Sequence, residues 1–200
     1  MKIGPKYKIA RRLGAPVFEK TQTQKYSLRQ ERKSRRKFQK PKTDFGKQLN
    51  EKQKARMFYA VAEKQFAKYI KEALAQKQIS PLNHLLRSLE YRLDNCLWRA
   101  GILPTHLNAR QAVAHGHFMV NGRRVFTPSL KVKAGDKITI RQGSLNNKLF
   151  ADLEERVKES QSVAWLAWNT KAKELTVKSE ISTTVDLLFD LGQVIEYYQR

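Results

Sequence analysis

Apolar residues recur at helical spacing through the first half of this chain and alternate with polar ones through much of the second. Met57/Phe58, Val61/Ala62, Phe66, Tyr69/Ile70 and Ala73/Leu74 fall one turn apart and predict a single long helix. Asn50, with Gln53 three residues on, supplies a capping box near its start. Ser80-Pro81 opens a second helix, because serine caps well and proline's fixed φ suits the first helical position. Leu82, Leu86, Leu89, Leu93 and Leu97 then predict one buried stripe, stopped by Gly101 and Pro104. Thr105 caps a short helix through Ala114 that Gly116 ends.

Strands follow. Asn121-Gly122 sits between Phe118–Val120 and Arg123–Phe126, a strong hairpin signal because both turn residues need positive φ. Val132 to Ile140 reads as strand, tight turn and alternating strand. Leu149/Phe150, Leu153 and Val157 mark an acidic amphipathic helix. Two more strands, 164–168 and 174–177, meet across Asn169-Thr170, and the apolar run from Val185 to Tyr198 predicts a turn or helix packing back on an earlier domain.

Charge changes the picture. The chain holds 40 Lys+Arg against 18 Asp+Glu, a net +22 over 200 residues. A polyanionic partner relieves such self-repulsion. Residues 1–42 carry +13, residues 43–143 +11 and residues 144–200 −2, so the positive field lies in the first three-quarters. Residues 1–42 have few large apolar side chains and predict an extended arm that settles on its partner. On the long helix, Lys52, Arg56 and Tyr59 stack on the side away from the apolar stripe, a face suited to a phosphate backbone. The competing reading of that face is plain solvation.

Several classes are disfavoured. Cys96 is the single cysteine, so no internal disulfide forms, and it reads as a small core residue. No run of about 18 apolar residues predicts a membrane span, and no secretory signal is seen. The basic, acid-poor start also suits a mitochondrial transit segment, the minor alternative. No Gly-rich phosphate loop or serine nucleophile elbow appears, and no catalytic residue is expected. His115 and His117 share one strand face but have no third partner for a metal. An RNA-modifying enzyme would need a catalytic domain for which little chain remains. A helix-turn-helix DNA regulator fits the two helices near Gly101 but explains neither the arm nor the hairpin.

Five segments carry a family resemblance. They are Gly4-Pro5-Lys6…Arg11-Arg12, Asp44-Phe45-Gly46-Lys47-Gln48-Leu49-Asn50-Glu51-Lys52-Gln53-Lys54, Tyr91-Arg92-Leu93-Asp94-Asn95 with Ala109-Arg110-Gln111, His115-Gly116-His117 and Val120-Asn121-Gly122, then Trp165-Leu166, and the closing Val194-Ile195-Glu196-Tyr197-Tyr198. In order and spacing the chain resembles the bacterial-type fourth protein of the small ribosomal subunit. The resemblance implies direct binding to a multi-helix junction in the 5′ domain of small-subunit rRNA, nucleation of subunit assembly and a role in translational accuracy. It also implies neighbouring ribosomal proteins involved in decoding accuracy, messenger RNA close by, and a cytoplasmic ribosome ahead of an organellar one.

Three departures stand out. Relatives often carry a four-cysteine zinc cluster near the start; residues 1–42 hold no cysteine, so no metal or other cofactor is expected. Thr105-His106 replaces the usual Thr-Arg, and Asp190-Leu191 replaces the usual Asn-Glu.

The predicted fold is α+β in three parts: a basic extension (1–42), a helical domain (43–86) completed by a tail (182–200), and an inserted RNA-binding motif domain (87–181) with an antiparallel sheet. Candidate rRNA contacts in the extension are Lys2, Lys6, Lys8, Arg11, Arg12, Arg32, Lys33, Arg35 and Arg36. The helical domain offers Lys47, Lys52, Lys54, Arg56 and Tyr59. The motif domain offers Arg92, Arg99, Arg110, Gln111, His115, His117, Asn121, Arg123 and Arg124. The competing reading of Arg92 is a local pair with Asp94 that orients the helix, a role compatible with RNA contact, and Asn121 is first a turn residue. Arginine suits this work because its planar fork meets two phosphate oxygens at once.

Overall fold

The computed structural model describes residues 3–34, 43–160, 163–179 and 187–199. Backbone contacts divide the chain into two units, Met1–Leu85 with Val185–Arg200, and Leu86–Thr184. The first is helical; the second holds an antiparallel sheet, so the fold is α+β.

The first unit begins with α1 (Lys6–Leu13), ended by Gly14 at φ 71°, and α2 (Gln24–Ser34). Between them Thr21 ties down a 3-10 turn by donating its hydroxyl to the Phe18 carbonyl at 2.7 Å. Ala10, Leu13, Val17 and Phe18 form a small core with Ile3, Ile9, Tyr26 and Met57 around it. The extended arm expected over 1–42 is therefore folded through its described part. Its apolar residues are few, but Met57 arrives from outside the segment to complete their burial.

The long helix expected from Asn50 is two helices. α3 (Asp44–Phe58) starts earlier, capped by Thr43, whose hydroxyl accepts from the Gly46 amide at 3.2 Å. Asn50 instead donates its amide to the Leu13 carbonyl at 3.0 Å. α4 (Glu63–Ala75) follows a sharp break. There Ala60 takes φ 51° while Ala60 and Val61 donate to the Met57 and Arg56 carbonyls, the paired bonds of a Schellman ending. The break lets Phe58, Tyr59, Val61 and Phe66 all be buried. α9 (Leu191–Gln199) packs on α3 through Leu191, Val194 and Ile195, with Asp190 capping its first turn.

The leucine helix is also two. α5 (Pro81–Glu90) stops, and α6 (Leu93–Arg99) restarts after Tyr91 and Arg92 leave helical geometry. Those residues form a short ladder with the segment around Lys131, Leu93 donating to Leu130 and Val132 to Tyr91. Leu86, Leu89, Leu93 and Leu97 remain buried; Leu82 is exposed. Gly101 at φ 72° ends the pair, and α7 (His106–Ala114) is capped by Thr105 accepting from Asn108 at 3.1 Å, as its spacing predicts.

Five strands follow: β1 (Phe118–Val120), β2 (Arg123–Val125), β3 (Lys137–Ile140), β4 (Leu166–Asn169) and β5 (Glu174–Val177). Their order is β2-β1-β3-β5-β4, antiparallel throughout. Asn121 at φ 49° and Gly122 at φ 77° make the tight β1–β2 turn. Cross-strand partners Phe118–Ile140, Val120–Ile138 and Ile138–Leu175 line one buried face. Phe150 closes on Phe118 edge-on at 5.8 Å, just before α8 (Leu153–Glu159), the acidic helix.

Candidate nucleic-acid interface

The outer side of α7 carries Arg110 and Gln111, since Ala109, Ala112 and Val113 are buried. At its end, Gly116 at φ 70° turns the chain into β1. Arg124 of β2 reaches back here, donating Nε to the Gly116 carbonyl at 2.9 Å and Nη2 to the His115 carbonyl at 3.2 Å. Its guanidinium lies 4.6 Å from the Phe126 ring centre. A Cβ on residue 116 would come within 2.5 Å of both the Arg124 Nε and the Phe126 ring, so glycine is required at this approach.

His115 and His117 have ring centres 6.0 Å apart. His117 Nδ1 is 2.9 Å from the Ser144 hydroxyl. Burial holds the His117 imidazole below its ordinary pKa, and the positive charges of His115, Arg141 and Arg124 push the same way. Asn121 is exposed, but its amide donates to Asp136 at 2.8 Å and accepts from the Lys137 amide at 3.0 Å, which commits it to holding the turn.

The spacing of the sequence groups Arg123 with Arg124; the strand register separates them. Arg123 lies opposite Val120 and Arg124 opposite Met119, so the two side chains leave opposite faces of the sheet. Arg124 shares its face with Met119 and Thr139, away from the apolar core.

Two arginines expected at the RNA are spent inside. Arg92 is 1% exposed, with Nε and Nη2 gripping Asp94 at 3.0 and 2.6 Å. Arg99 grips buried Glu90 at 3.1 and 2.7 Å, and Glu90 also accepts from Asn95. Buried carboxylates need such partners, because an unpaired charge is strongly disfavoured away from water. His106, the departure beside Thr105, is buried too, 3.0 Å from Asn95 Oδ1 and stacked on Trp98 at 3.9 Å. Cys96 is buried, and desolvation, then Glu90 and Asp94, raise its thiol well above the usual value.

The stripe on α3 is corrected in the same sense. Lys52 is buried, its amine 2.6 Å from Glu63 and 4.5 Å from the Tyr197 ring centre on α9. Arg56 also pairs with Glu63, at 3.1 Å. Tyr59 is buried against Phe58 and Phe189. This face is the one the rest of the unit covers, so it does not offer itself to phosphates. Lys54 pairs with Glu51 at 2.6 Å, and Lys47, exposed, with Asp44 at 3.0 Å.

On α1, Lys8, Arg11 and Arg12 are exposed, while Lys6 leans over the Phe18 ring at 5.7 Å. Arg32 and Lys33 belong to α2, of which only their backbone is described; Lys2, Arg35 and Arg36 lie outside the described residues. Arg141 was missed by sequence reasoning. It follows β3 directly, and alternation along Ile138, Thr139, Ile140 places it on the face of Thr139.

Among the described residues no helix is long and apolar enough to cross a membrane. Family profiles match both units: "Ribosomal protein S4/S9 N-terminal domain" over residues 1–90 and "S4 domain" over residues 92–138. These profiles define a ribosomal protein built around an S4 domain. Small ribosomal subunit protein uS4B of Clostridium acetobutylicum is 34% identical over 199 residues, spanning 99% of this chain and 97% of the relative. Protein uS4 of Chlorobaculum tepidum is 38% identical over 200 residues, 96% of each chain. That of Ectopseudomonas mendocina is 35% identical over 210 residues, 99% of this chain and 98% of the relative. The chain belongs to the uS4 family of small ribosomal subunit proteins, a structural family and not an enzymatic one.

Proposed function

We propose that this chain is a structural constituent of the small ribosomal subunit that binds its RNA directly, with the Leu86–Thr184 unit as the principal reader. The supporting observation is Arg124. Two backbone carbonyls fix its guanidinium at the end of α7, and among the described residues no carboxylate pairs with it. A cation held in place without a counter-charge suits an arriving phosphate, since little side-chain entropy remains to be lost. Gln111 and His115 stand exposed beside it on α7 and just after. Lys8, Arg11 and Arg12 on α1 supply a second, separate set of phosphate contacts.

On this reading the protein docks on a multi-helix junction of the 5′ domain of small-subunit rRNA and nucleates assembly. It later contributes to accuracy beside neighbouring small-subunit proteins, with messenger RNA close by, in a cytoplasmic ribosome. Residues 1–42 act as the basic extension and 87–181 as the motif domain. Footprinting on rRNA fragments, with an unrelated folded RNA as control, tests it. Protection confined to the junction is expected; equal protection of both RNAs would reject the specific reading. Affinity should also fall steeply with salt, as counterion release demands.

A further inference from the structure

Four cationic or protonatable groups from three pieces of chain meet at one end of the sheet. The Arg141 amide donates to the His117 carbonyl at 2.8 Å, which extends the β1–β3 ladder by one pair. His117 and Arg141 are therefore opposite one another, on the same face as the Met119–Thr139 and Met119–Arg124 pairs. His115 brings its ring to 6.0 Å from that of His117. Arg124 is held in place by the Gly116 and His115 carbonyls.

The groups around His117 are all of one sign. From the end of α7 it faces His115, from β2 Arg124, and from the segment after β3 Arg141. The remaining neighbours, Ser144 at 2.9 Å and Phe150 edge-on at 6.3 Å, are uncharged. Two donors point to an absent acceptor. Arg141 Nε is buried with no hydrogen-bond partner, an arrangement that costs its full desolvation unless something arrives to accept. His117 uses Nδ1 on Ser144, and among the described residues Nε2 has no partner.

We propose that His115, His117, Arg124 and Arg141 together seat one RNA phosphate, and that His117 gains a proton as the phosphate binds. The inference rests on the RNA-binding reading above and adds to it Arg141 and a dependence on pH. The chemistry is self-consistent. With the site empty, burial and its cationic neighbours hold the His117 imidazole below its ordinary pKa, which limits repulsion. An anion among them reverses the balance, so Nε2 takes a proton from solvent and donates it to a phosphate oxygen. No covalent bond forms or breaks.

The linkage has a definite sign. Binding raises the histidine pKa from its lowered free value, so affinity rises as pH falls through the bound value and levels off below the free one. For one proton the steepest gain is about tenfold per pH unit. The test is binding of the full chain to a 5′-domain rRNA fragment from pH 8 to pH 6 at fixed ionic strength, beside His117→Gln and Arg141→Gln. The glutamine at 117 keeps a donor for Ser144, and circular dichroism checks that both variants fold. The wild type should gain affinity as pH falls, His117→Gln should lose most of that gain, and Arg141→Gln should bind several-fold more weakly at every pH. The histidine resonances should show the His117 pKa rising on addition of RNA. Tight but pH-independent binding, the full wild-type slope retained in His117→Gln, or wild-type affinity in Arg141→Gln would overturn the proposal while leaving RNA binding standing. No binding at any pH would reject the RNA-binding reading, and this seat with it.

Discussion

Asp94 and Glu90 decide where Arg92 and Arg99 go; the local Arg92–Asp94 pair was readable in the sequence, whereas the Arg99–Glu90 pair was not. Arg92 and Asp94 are two apart, which is no helical neighbour relation, and they meet only because the chain leaves helix at Tyr91. Arg99 and Glu90 are nine apart across the same break. Asp94→Asn should therefore lower stability by about 3–5 kcal/mol in urea unfolding, since it removes the charged partner of a buried guanidinium. Arg123→Gln, on an exposed edge, should stay within about 0.5 kcal/mol of the parent. Gly116→Ala combines a left-handed backbone at φ 70° with a clash at Arg124, and should cost about 1–2 kcal/mol for the backbone alone. It should also weaken RNA binding, whereas Arg124→Gln weakens binding with little change in the unfolding midpoint. The hairpin turn and the Thr105 cap were legible beforehand, because each is specified by two or three adjacent residues.

At the level of elements, what spacing could not reveal is where a helix stops. Ala60 and Arg92 are ordinary helix formers by propensity, yet one sits in a left-handed ending and the other in a ladder supplied from some 40 residues away. Once α3 ends at Phe58, Glu63 at the start of α4 comes within reach of Lys52 and Arg56, and Tyr198 of α9 donates to it at 2.9 Å. Burial alone would raise the Glu63 pKa, but the Lys52 and Tyr198 hydrogen bonds and the charges of Lys52 and Arg56 outweigh it and hold the carboxyl below its ordinary value. Tyr198 is driven the other way, by burial and then by its bond to Glu63. A lowered acid stabilises the folded form above the ordinary carboxylate range and loses that contribution as pH falls through its folded value. Protection of the α9 amides, measured relative to their intrinsic exchange rates, should accordingly fall at acid pH, and Glu63→Gln should remove that part of the dependence.

For the whole molecule, the charge distribution directed attention to the first three-quarters of the chain, but it could not separate cations facing outward from those consumed within. Nor could composition show that residues before Ser34 fold, because the Met57 that completes their core lies beyond the segment. Deleting residues 1–42 should leave the later helices in place by circular dichroism while lowering stability by up to about 2 kcal/mol, as Met57 loses its cover. The same deletion should flatten the salt dependence of RNA binding, since Lys8, Arg11 and Arg12 go with it. One further consequence follows from β2 being an outermost strand. Among the described residues no strand pairs with its outer edge, which leaves it open to pairing with a second copy, and Arg123 and Arg124 would oppose that by repelling their counterparts there. Those two charges would keep a free chain from stacking on its siblings; with valine at both positions, light scattering should report aggregates that added RNA fails to disperse.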